Sequence, residues 1–464
     1  MTAMPESPLL VRFVQGTLVV ENCDYARLPL AVRMLVKFDE RIQAGRARAC
    51  DYAALMLALR AAELAVEDQA AEFAPLALTL HGSFQPRPHQ ATAFQRWREA
   101  GYRALVALPT GSSKTFLAVL AIHRLQRPTL VMVPTIDLVQ QWASTLQRFF
   151  QIPIGLLGGG ARQIESITVS TYDSAVLNME FLGNQFAFLV FDECHHLPGA
   201  VNRTAAAMSL APYRLGLTAT PEVGAEQEAV LHDLIGPLAC QIHIDELEGQ
   251  VLAPYRTIPV ELSLDAEEKE QYVAKRAIYT DFLKRHQISF RSPDDWRRFL
   301  GLCARLPDGK AVFDAFLEQR RIARSGRAKI RAVWELLQQH AGEQVIIFTA
   351  DNATAYQLGR EFFLPVLTHH TKLVERKAML EAFRSGRWPV LVTSKVLNEG
   401  VDVPEANIAI ILSGSGSIRE HVQRLGRILR AAPGKEAILY ELLNADTAEI
   451  YVSRRRREHR AYRH

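Results

Sequence analysis

Long apolar runs are missing from this chain: no stretch approaches the ~18 residues that a membrane-spanning helix needs. The opening Met-Thr-Ala-Met-Pro-Glu-Ser lacks a basic segment followed by an apolar core, so no secretory signal and no membrane partner is expected. Cysteine is sparse as well. The five present, Cys23, Cys50, Cys194, Cys240 and Cys303, stand apart without a C-x-x-C pair. Neither a zinc nor an iron–sulfur site is suggested, and a reducing compartment fits. Charge of one sign is also lacking, because 54 Lys and Arg against 50 Asp and Glu leave a net of only +4. That balance is too mild to establish a polyanionic partner. The run Arg454-Arg455-Arg456-Arg457 is denser, and reads first as a solvated end, with phosphate contact the lesser alternative.

What is present is enough apolar material for several cores. With 464 residues and 48% hydrophobic content, two to four globular domains are expected. Residues 1–80 read as a small separate unit. There Leu9–Phe13 and Thr17–Val20 flank Val14-Gln15-Gly16 as a hairpin, and Tyr52 to Ala71, rich in Ala, Leu and Glu, predicts a helix. From Arg87 onward, short apolar strands alternate with helical stretches: 104–108, 129–133, 167–170, 188–191 and 214–217. Near-continuous apolar strands of this kind imply a parallel sheet covered on both faces, with ligand chemistry in the loops after the strands. Residues 265–327 break the alternation. Tyr272, Ile278, Tyr279, Phe282 and Leu283 recur at helical spacing, and Arg291-Ser292-Pro293-Asp294-Asp295 looks like a break followed by a helix start. A second alternation follows at 345–349, 390–393, 408–412 and 437–442.

Chemistry concentrates first in Ala104 to Thr115, Ala-Leu-Val-Ala-Leu-Pro-Thr-Gly-Ser-Ser-Lys-Thr. An apolar strand breaks at Pro109 into a loop of small residues that opens a helix. Backbone N–H groups and the helix dipole at such a loop can cradle a polyphosphate, with Lys114 on the outer phosphates and the Thr115 hydroxyl on Mg²⁺. The residue before the lysine, usually glycine, is Ser113. A second strand, Phe188 to Phe191, ends in Asp192-Glu193-Cys194-His195-His196. Asp192 there can hold Mg²⁺, and Glu193 can orient and deprotonate an attacking water. An acid pair in a solvated turn is the bland alternative, disfavoured by the phosphate loop upstream. Adjacent histidines diverge, so a metal site on His195 and His196 is not expected. In Gln423-Arg424-Leu425-Gly426-Arg427-Ile428-Leu429-Arg430 the arginines either line a solvated helix or neutralise charge that develops in phosphoryl transfer.

Taken in order, Gln90, Gly111–Thr115, Pro134-Thr135, Ser170-Thr171-Tyr172, Asp192–His195, Thr218-Ala219-Thr220, Asn398-Glu399-Gly400-Val401-Asp402 and Gln423–Arg430 resemble the motif series of superfamily 2 helicases. The wording at Val169–Ala175, Phe191–Pro198 and Leu412–Arg419 is similar to the XPB family in particular. The resemblance is specific over 81–445 and loose before it. It implies an α/β fold of two RecA-like parallel-sheet domains, at 81–245 and 246–464, with a helical thumb-like insertion at about 265–327 and a small N-terminal α+β domain at 1–80 resembling a damage-recognition domain.

The resemblance also implies roles. Arg87 and Gln90 would read adenine, and Gly111, Ser112, Ser113, Lys114 and Thr115 would hold ATP, with Mg²⁺ on Thr115 and Asp192. Glu193 would be the catalytic base. Gly400 and Asp402 would join the nucleotide site, and Arg427 and Arg430 would complete it. His195, reaching toward Gln423, and Thr218 with Thr220 would couple hydrolysis to movement. Thr135, Ser170 and Thr171 would touch the DNA backbone, though hydroxyls at strand ends are also common in turns. The implied activity is that of a 3′→5′ DNA-dependent ATPase that opens or translocates along forked, duplex or single-stranded DNA in nucleotide excision repair. It would act as a cytoplasmic, nucleoid-associated monomer. Two departures stand out. Ser113 puts a Cβ where glycine is usual, and Val223-Gly224-Ala225 stands where XPB-like proteins carry Arg-Glu-Asp, a triplet tied to strand opening. The first admits a DNA-binding scaffold with an impaired ATPase that recruits a repair nuclease; the second admits a duplex translocase or remodeller that does not separate strands.

Overall fold

The structure is a computed structural model, and it describes residues 8–82, 85–221, 224–247, 253–290, 292–394, 406–413 and 437–450. The chain divides into two compact units between His243 and Ile244.

The first unit opens with β1 (Leu9–Val14), β2 (Thr17–Glu21), α1 (Leu30–Arg33), β3 (Val36–Asp39), β4 (Ala44–Arg48), α2 (Tyr52–Ala61) and β5 (Val66–Asp68). The expected hairpin pairs Leu10 with Glu21 through Val14 with Thr17. Its turn residues Gln15 and Gly16 both have positive φ, +47° and +75°, as a tight hairpin matched to strand twist requires. The helix expected as far as Ala71 ends ten residues earlier. Glu63 turns left-handed at φ +56°, and β5 then lies parallel to β1. Pairing along a sheet edge overrides the helical propensity of that stretch. The sheet order is β3-β4-β2-β1-β5, over a core that includes Val11, Leu18, Val20, Val36, Leu55 and Leu59.

The same unit continues with α3 (Pro88–Glu99), β6 (Arg103–Ala107), α4 (Lys114–Leu125), β7 (Thr129–Val133), α5 (Ile136–Phe150), β8 (Gly155–Gly158), β9 (Ala161–Gln163), β10 (Ile167–Thr171), α6 (Tyr172–Leu182), β11 (Phe188–Phe191), α7 (Arg203–Ala207), β12 (Tyr213–Thr218), α8 (Ala225–Leu234) and β13 (Leu238–Gln241). The strands run in the order β13-β6-β12-β11-β7-β10-β8-β9, and only β9 is antiparallel to its neighbour. The five apolar runs read from the sequence form its centre. Strand β11, for instance, is buried at every position, as a strand covered on both faces must be. The linker after β5 is strapped to this domain: the Glu72 N–H donates to the Asn184 carbonyl and the His81 N–H to the Phe149 carbonyl.

The second unit holds α9 (Ile244–Leu247), β14 (Tyr255–Leu262), α10 (Ala266–Arg285), α11 (Pro293–Arg305), α12 (Gly309–Ser325), α13 (Arg327–Gln339), β15 (Val345–Phe348), α14 (Asn352–Phe362), β16 (Val366–Leu367), α15 (Leu373–Arg384), β17 (Val390–Thr393), β18 (Ile408–Ile411) and β19 (Ala437–Asn444). Its sheet, β14-β19-β18-β15-β17-β16, is wholly parallel. The insertion is helical, with a core of its own in Phe282, Ile288, Phe299, Val312 and Phe316. The start expected near Ser292 is a capping box. Asp295 N–H donates to Ser292 Oγ at 3.4 Å, and Ser292 N–H to Asp295 Oδ2 at 3.0 Å.

Candidate active site

Strand β6 leads into the candidate phosphate loop. The Leu108 N–H donates to the Thr218 carbonyl, which extends the β6–β12 pairing up to Pro109. Proline has no N–H to continue the ladder, and the chain turns. Ser112 Oγ then donates to the Pro109 carbonyl at 2.7 Å, closing the turn from inside. Gly111 has φ +89°, and Ser113 sits at φ +62°, ψ +52°, in the left-handed region that the sequence placed in question. Helix α4 begins at Lys114 with no side-chain cap on its first-turn N–H groups. An uncapped helix start behind such a loop is an anion cradle.

Residues of α3 hold this loop from below. Gln90, 2% exposed, donates from Nε2 to the carbonyls of Ser112 and Ser113, both at 3.3 Å, while its Oε1 accepts from the Arg87 N–H at 3.0 Å. His89 Nε2 meets the Ser112 carbonyl at 3.0 Å. The struts at Gln90 and His89 were not readable from sequence, since they depend on a contact across more than twenty residues.

Strand β11 supplies the acids. Asp192 is buried; its Oδ2 accepts from Trp142 Nε1 at 2.8 Å and its Oδ1 from the Glu193 N–H at 3.1 Å. Tyr172 Oη donates to the Asp192 carbonyl at 2.9 Å. Burial, and then the neighbouring Glu193 carboxylate, push the Asp192 carboxyl up to about 6, against the opposing pull of Lys114 and the Trp142 N–H. Trp142 escaped the sequence reading because nothing in the amphipathic pattern of α5 separates it from an ordinary core tryptophan. Glu193 takes a left-handed conformation, φ +47°, ψ +52°, which ends the strand and starts the turn Cys194–His196.

That turn brings the expected residues together. Lys114 Nζ is buried without a hydrogen bond and lies 3.7 Å from Glu193 Oε1. Glu193 Oε2 is 3.5 Å from His195 Nδ1, which is in turn 3.5 Å from Thr218 Oγ1. Thr218 Oγ1 accepts from the Thr220 N–H at 3.2 Å. Lys114, Glu193, His195, Thr218 and Thr220 therefore form one continuous chain of contacts from the phosphate loop to the end of β12. Beside it is a small cavity lined by His195, Thr218 and Thr220 together with Glu228, Leu231 and His232 of α8. Burial and the two adjacent acids drive the Cys194 thiol far up, which makes it inert filling. Among the described residues, no group of His, Cys, Asp and Glu is arranged to hold a metal by itself, and no helix is long and apolar enough to cross a membrane.

The remaining expected residues are placed differently. Thr135 caps α5 through the Leu138 N–H, and Thr171 caps α6 through the Ser174 N–H. Ser170 is fully buried and donates to the Thr171 carbonyl at 2.9 Å. These three hydroxyls thus serve local structure in this conformation. Gly400, Asp402, Gln423, Arg427 and Arg430 lie outside the described residues, as does Val223 of the departing triplet.

Comparison with known proteins follows the same layout. Residues 83–223 match the family model for the type III restriction enzyme res subunit, and residues 328–432 that for the helicase conserved C-terminal domain. Residues 11–70 match the xeroderma pigmentosum group B helicase damage recognition domain. The DNA 3′-5′ translocase XPB2 of Sulfurisphaera tokodaii is 37% identical over 91% of this chain and 96% of its own length. The DNA 3′-5′ helicase XPB of Mycobacterium tuberculosis is 29% identical over 82% of this chain, which spans 65% of that protein. Among solved structures, the helicase domain of Pyrococcus furiosus Hef superposes with a TM-score of 0.52 at 21% identity, covering 80% of this chain and 98% of that one. Yeast Dbp5 superposes at 0.54 with 14% identity, covering 81% and 87%; both share the fold of two RecA-like domains. With an archaeal relative matched along nearly its whole length and all three family models in register, the chain belongs to the XPB family of superfamily 2 helicases and translocases.

Proposed function

We propose that this chain hydrolyses ATP in a DNA-dependent cycle and uses it to move along or open DNA with 3′→5′ polarity, in nucleotide excision repair or a related pathway. The carrying observation is the run of contacts from Lys114 through Glu193 and His195 to Thr218, set behind an uncapped helix start. The buried, hydrogen-bond-free Lys114 ammonium is suited to a phosphate oxygen. Glu193 orients the attacking water and takes its proton, and His195 relays the change in Glu193 to Thr218 at the end of β12. Gln90 already grips the loop, so its contact with adenine, together with Arg87, would tie base recognition to loop position. Arg427 and Arg430, with Gly400 and Asp402, complete the site in this proposal.

The donor set fits Mg²⁺, since an anionic Asp192 with both oxygens fixed and a hydroxyl at Thr115 are oxygen ligands of the kind that ion takes with phosphates. Asp192 and Thr115 would hold it, where it offsets phosphate charge. DNA contacts at Thr135, Ser170 and Thr171 require those hydroxyls to exchange their local bonds for phosphate.

The test is ATPase rate with and without forked, duplex and single-stranded DNA, with strand release followed in parallel. Glu193→Gln should lower DNA-stimulated turnover by about 10²–10⁴-fold; turnover equal to wild type overturns the mechanism. A second reading, a translocase that leaves strands paired, is favoured by Val223-Gly224-Ala225 in place of Arg-Glu-Asp. Release of a labelled strand from a fork by the pure protein excludes it. The scaffold that recruits a repair nuclease is excluded by DNA-stimulated hydrolysis in the intact chain.

A further inference from the structure

Three arginines converge on the last turn of α8. Arg103 donates from Nη2 to the Asp233 carbonyl at 2.7 Å and from Nε to the Ile235 carbonyl at 3.2 Å. Arg214, fully buried, donates to the Leu234 carbonyl and also holds the carbonyls of Ser209 and Ala211. Both belong to the parallel-sheet domain that α8 is part of. The third comes from elsewhere. Arg48, at the end of β4 in the N-terminal sheet, pairs with Asp51 beside it and reaches across to the Asp233 carboxylate at 2.8 and 3.0 Å. Two residues on, Cys50 is buried in the same apolar cluster as Leu231, Leu234 and Ile235. The N-terminal domain therefore meets α8 directly by charge at Asp233 and shares with it one buried apolar cluster.

The same helix borders the cavity beside the hydrolytic residues: Glu228, Leu231 and His232 line it together with His195, Thr218 and Thr220. Helix α8 also follows Thr220 and Pro221 closely in the chain. The N-terminal anchor at Asp233 and this cavity thus have α8 in common. Contacts of 3.5 Å at Thr218–His195 and His195–Glu193 sit at the limit of hydrogen-bond reach, so a small displacement around the cavity that α8 lines is enough to make or lose them.

We infer that Arg48 and Asp233 are positioning residues through which the N-terminal domain sets the placement of α8, and with it the Thr218–His195–Glu193 contacts. The inference rests on the proposed DNA-dependent hydrolysis and names a regulation of that site. Arg48 is 53% exposed at its side chain, so truncating it leaves the core intact. The experiment uses the full chain as wild type, Arg48→Ala, Asp233→Asn and the double variant, measuring hydrolysis with and without duplex DNA and amide exchange along α8. Each single variant should lower the DNA-stimulated kcat by about threefold, with the rate in the absence of DNA unchanged and exchange across α8 faster. The double variant should be no worse than either single one, because both remove one contact. A purely structural role predicts instead a loss of the basal and the stimulated rate in equal proportion, and that result overturns the inference, as does a stimulated rate equal to wild type in Arg48→Ala. Absence of DNA stimulation in the wild type itself is a different failure: it removes the functional reading on which the inference depends.

Discussion

Ser113 holds a Cβ in a left-handed backbone conformation, φ +62°, ψ +52°, at a cost of about 1–2 kcal/mol. Glycine would relieve that strain but also widen the unfolded ensemble by a comparable amount, so the two effects nearly cancel in stability. Binding is not subject to the same cancellation, because the loop must present its N–H groups to phosphate in the folded state. Ser113→Gly should therefore lower the KM for ATP by about 3–10-fold while shifting Tm by only a few degrees; steady-state kinetics and a thermal melt check both. Asp192 carries a second residue-scale prediction. Its folded pKa of about 6 lies above the 3.8 of an ordinary aspartate, so over that interval the folded chain binds the proton that the unfolded chain has released. In the metal-free protein this group's contribution to stability therefore falls as pH rises through that window. Mg²⁺ needs the anion, so Mg²⁺-nucleotide affinity should weaken by up to tenfold per pH unit below about 6, as titrations at pH 5, 6 and 7 would reveal.

At the scale of elements, the strands buried on both faces were legible to within a residue or two, because a short continuous apolar run bounded by turn residues rarely folds as anything but a covered strand. Edge strands were not. Strand β14 is buried only at Tyr255 and then mixes half-buried with exposed positions, and β13 is buried only at Cys240, so neither carries such a run. The turn at Pro109, the left-handed Ser113 and the turn at Glu193 were readable as conformations because their determinants are local. Gln90 as a strut, Trp142 on Asp192 and the arginines around α8 were not, because each is a contact between distant segments. Arg214 shows what such a contact carries. Its guanidinium is buried without a carboxylate bonded to it, and burial, reinforced by the nearby Arg103 charge, pulls its pKa down to about 10. Arg214→Met would leave three carbonyls without a donor and should destabilise the first unit by about 3 kcal/mol, measurable as a lowered urea midpoint.

Across the whole molecule, the two strand–helix alternations read from the sequence correspond to two parallel sheets, one in each compact unit. The helical insertion was legible from the spacing of its apolar residues; Phe282, Tyr279 and Leu283 do join a core of its own, whereas Tyr272 packs in a separate cluster with Leu264 and Ile322, and Ile278 is exposed. The relation of the N-terminal domain to the rest was the part the sequence left open. Residues 1–80 were read as a small separate unit, and they do carry a sheet of their own, within the same compact unit as the first parallel sheet. Yet Leu210, from the loop before β12, lies in the core of the N-terminal sheet, and Cys50, from the turn that follows β4, lies in the core beneath α8. Each domain has lent the other an interior residue. A chain cut at that boundary would begin with one side of its own core open to water, so the first eighty residues are less an appendage to the motor than a missing wall of it.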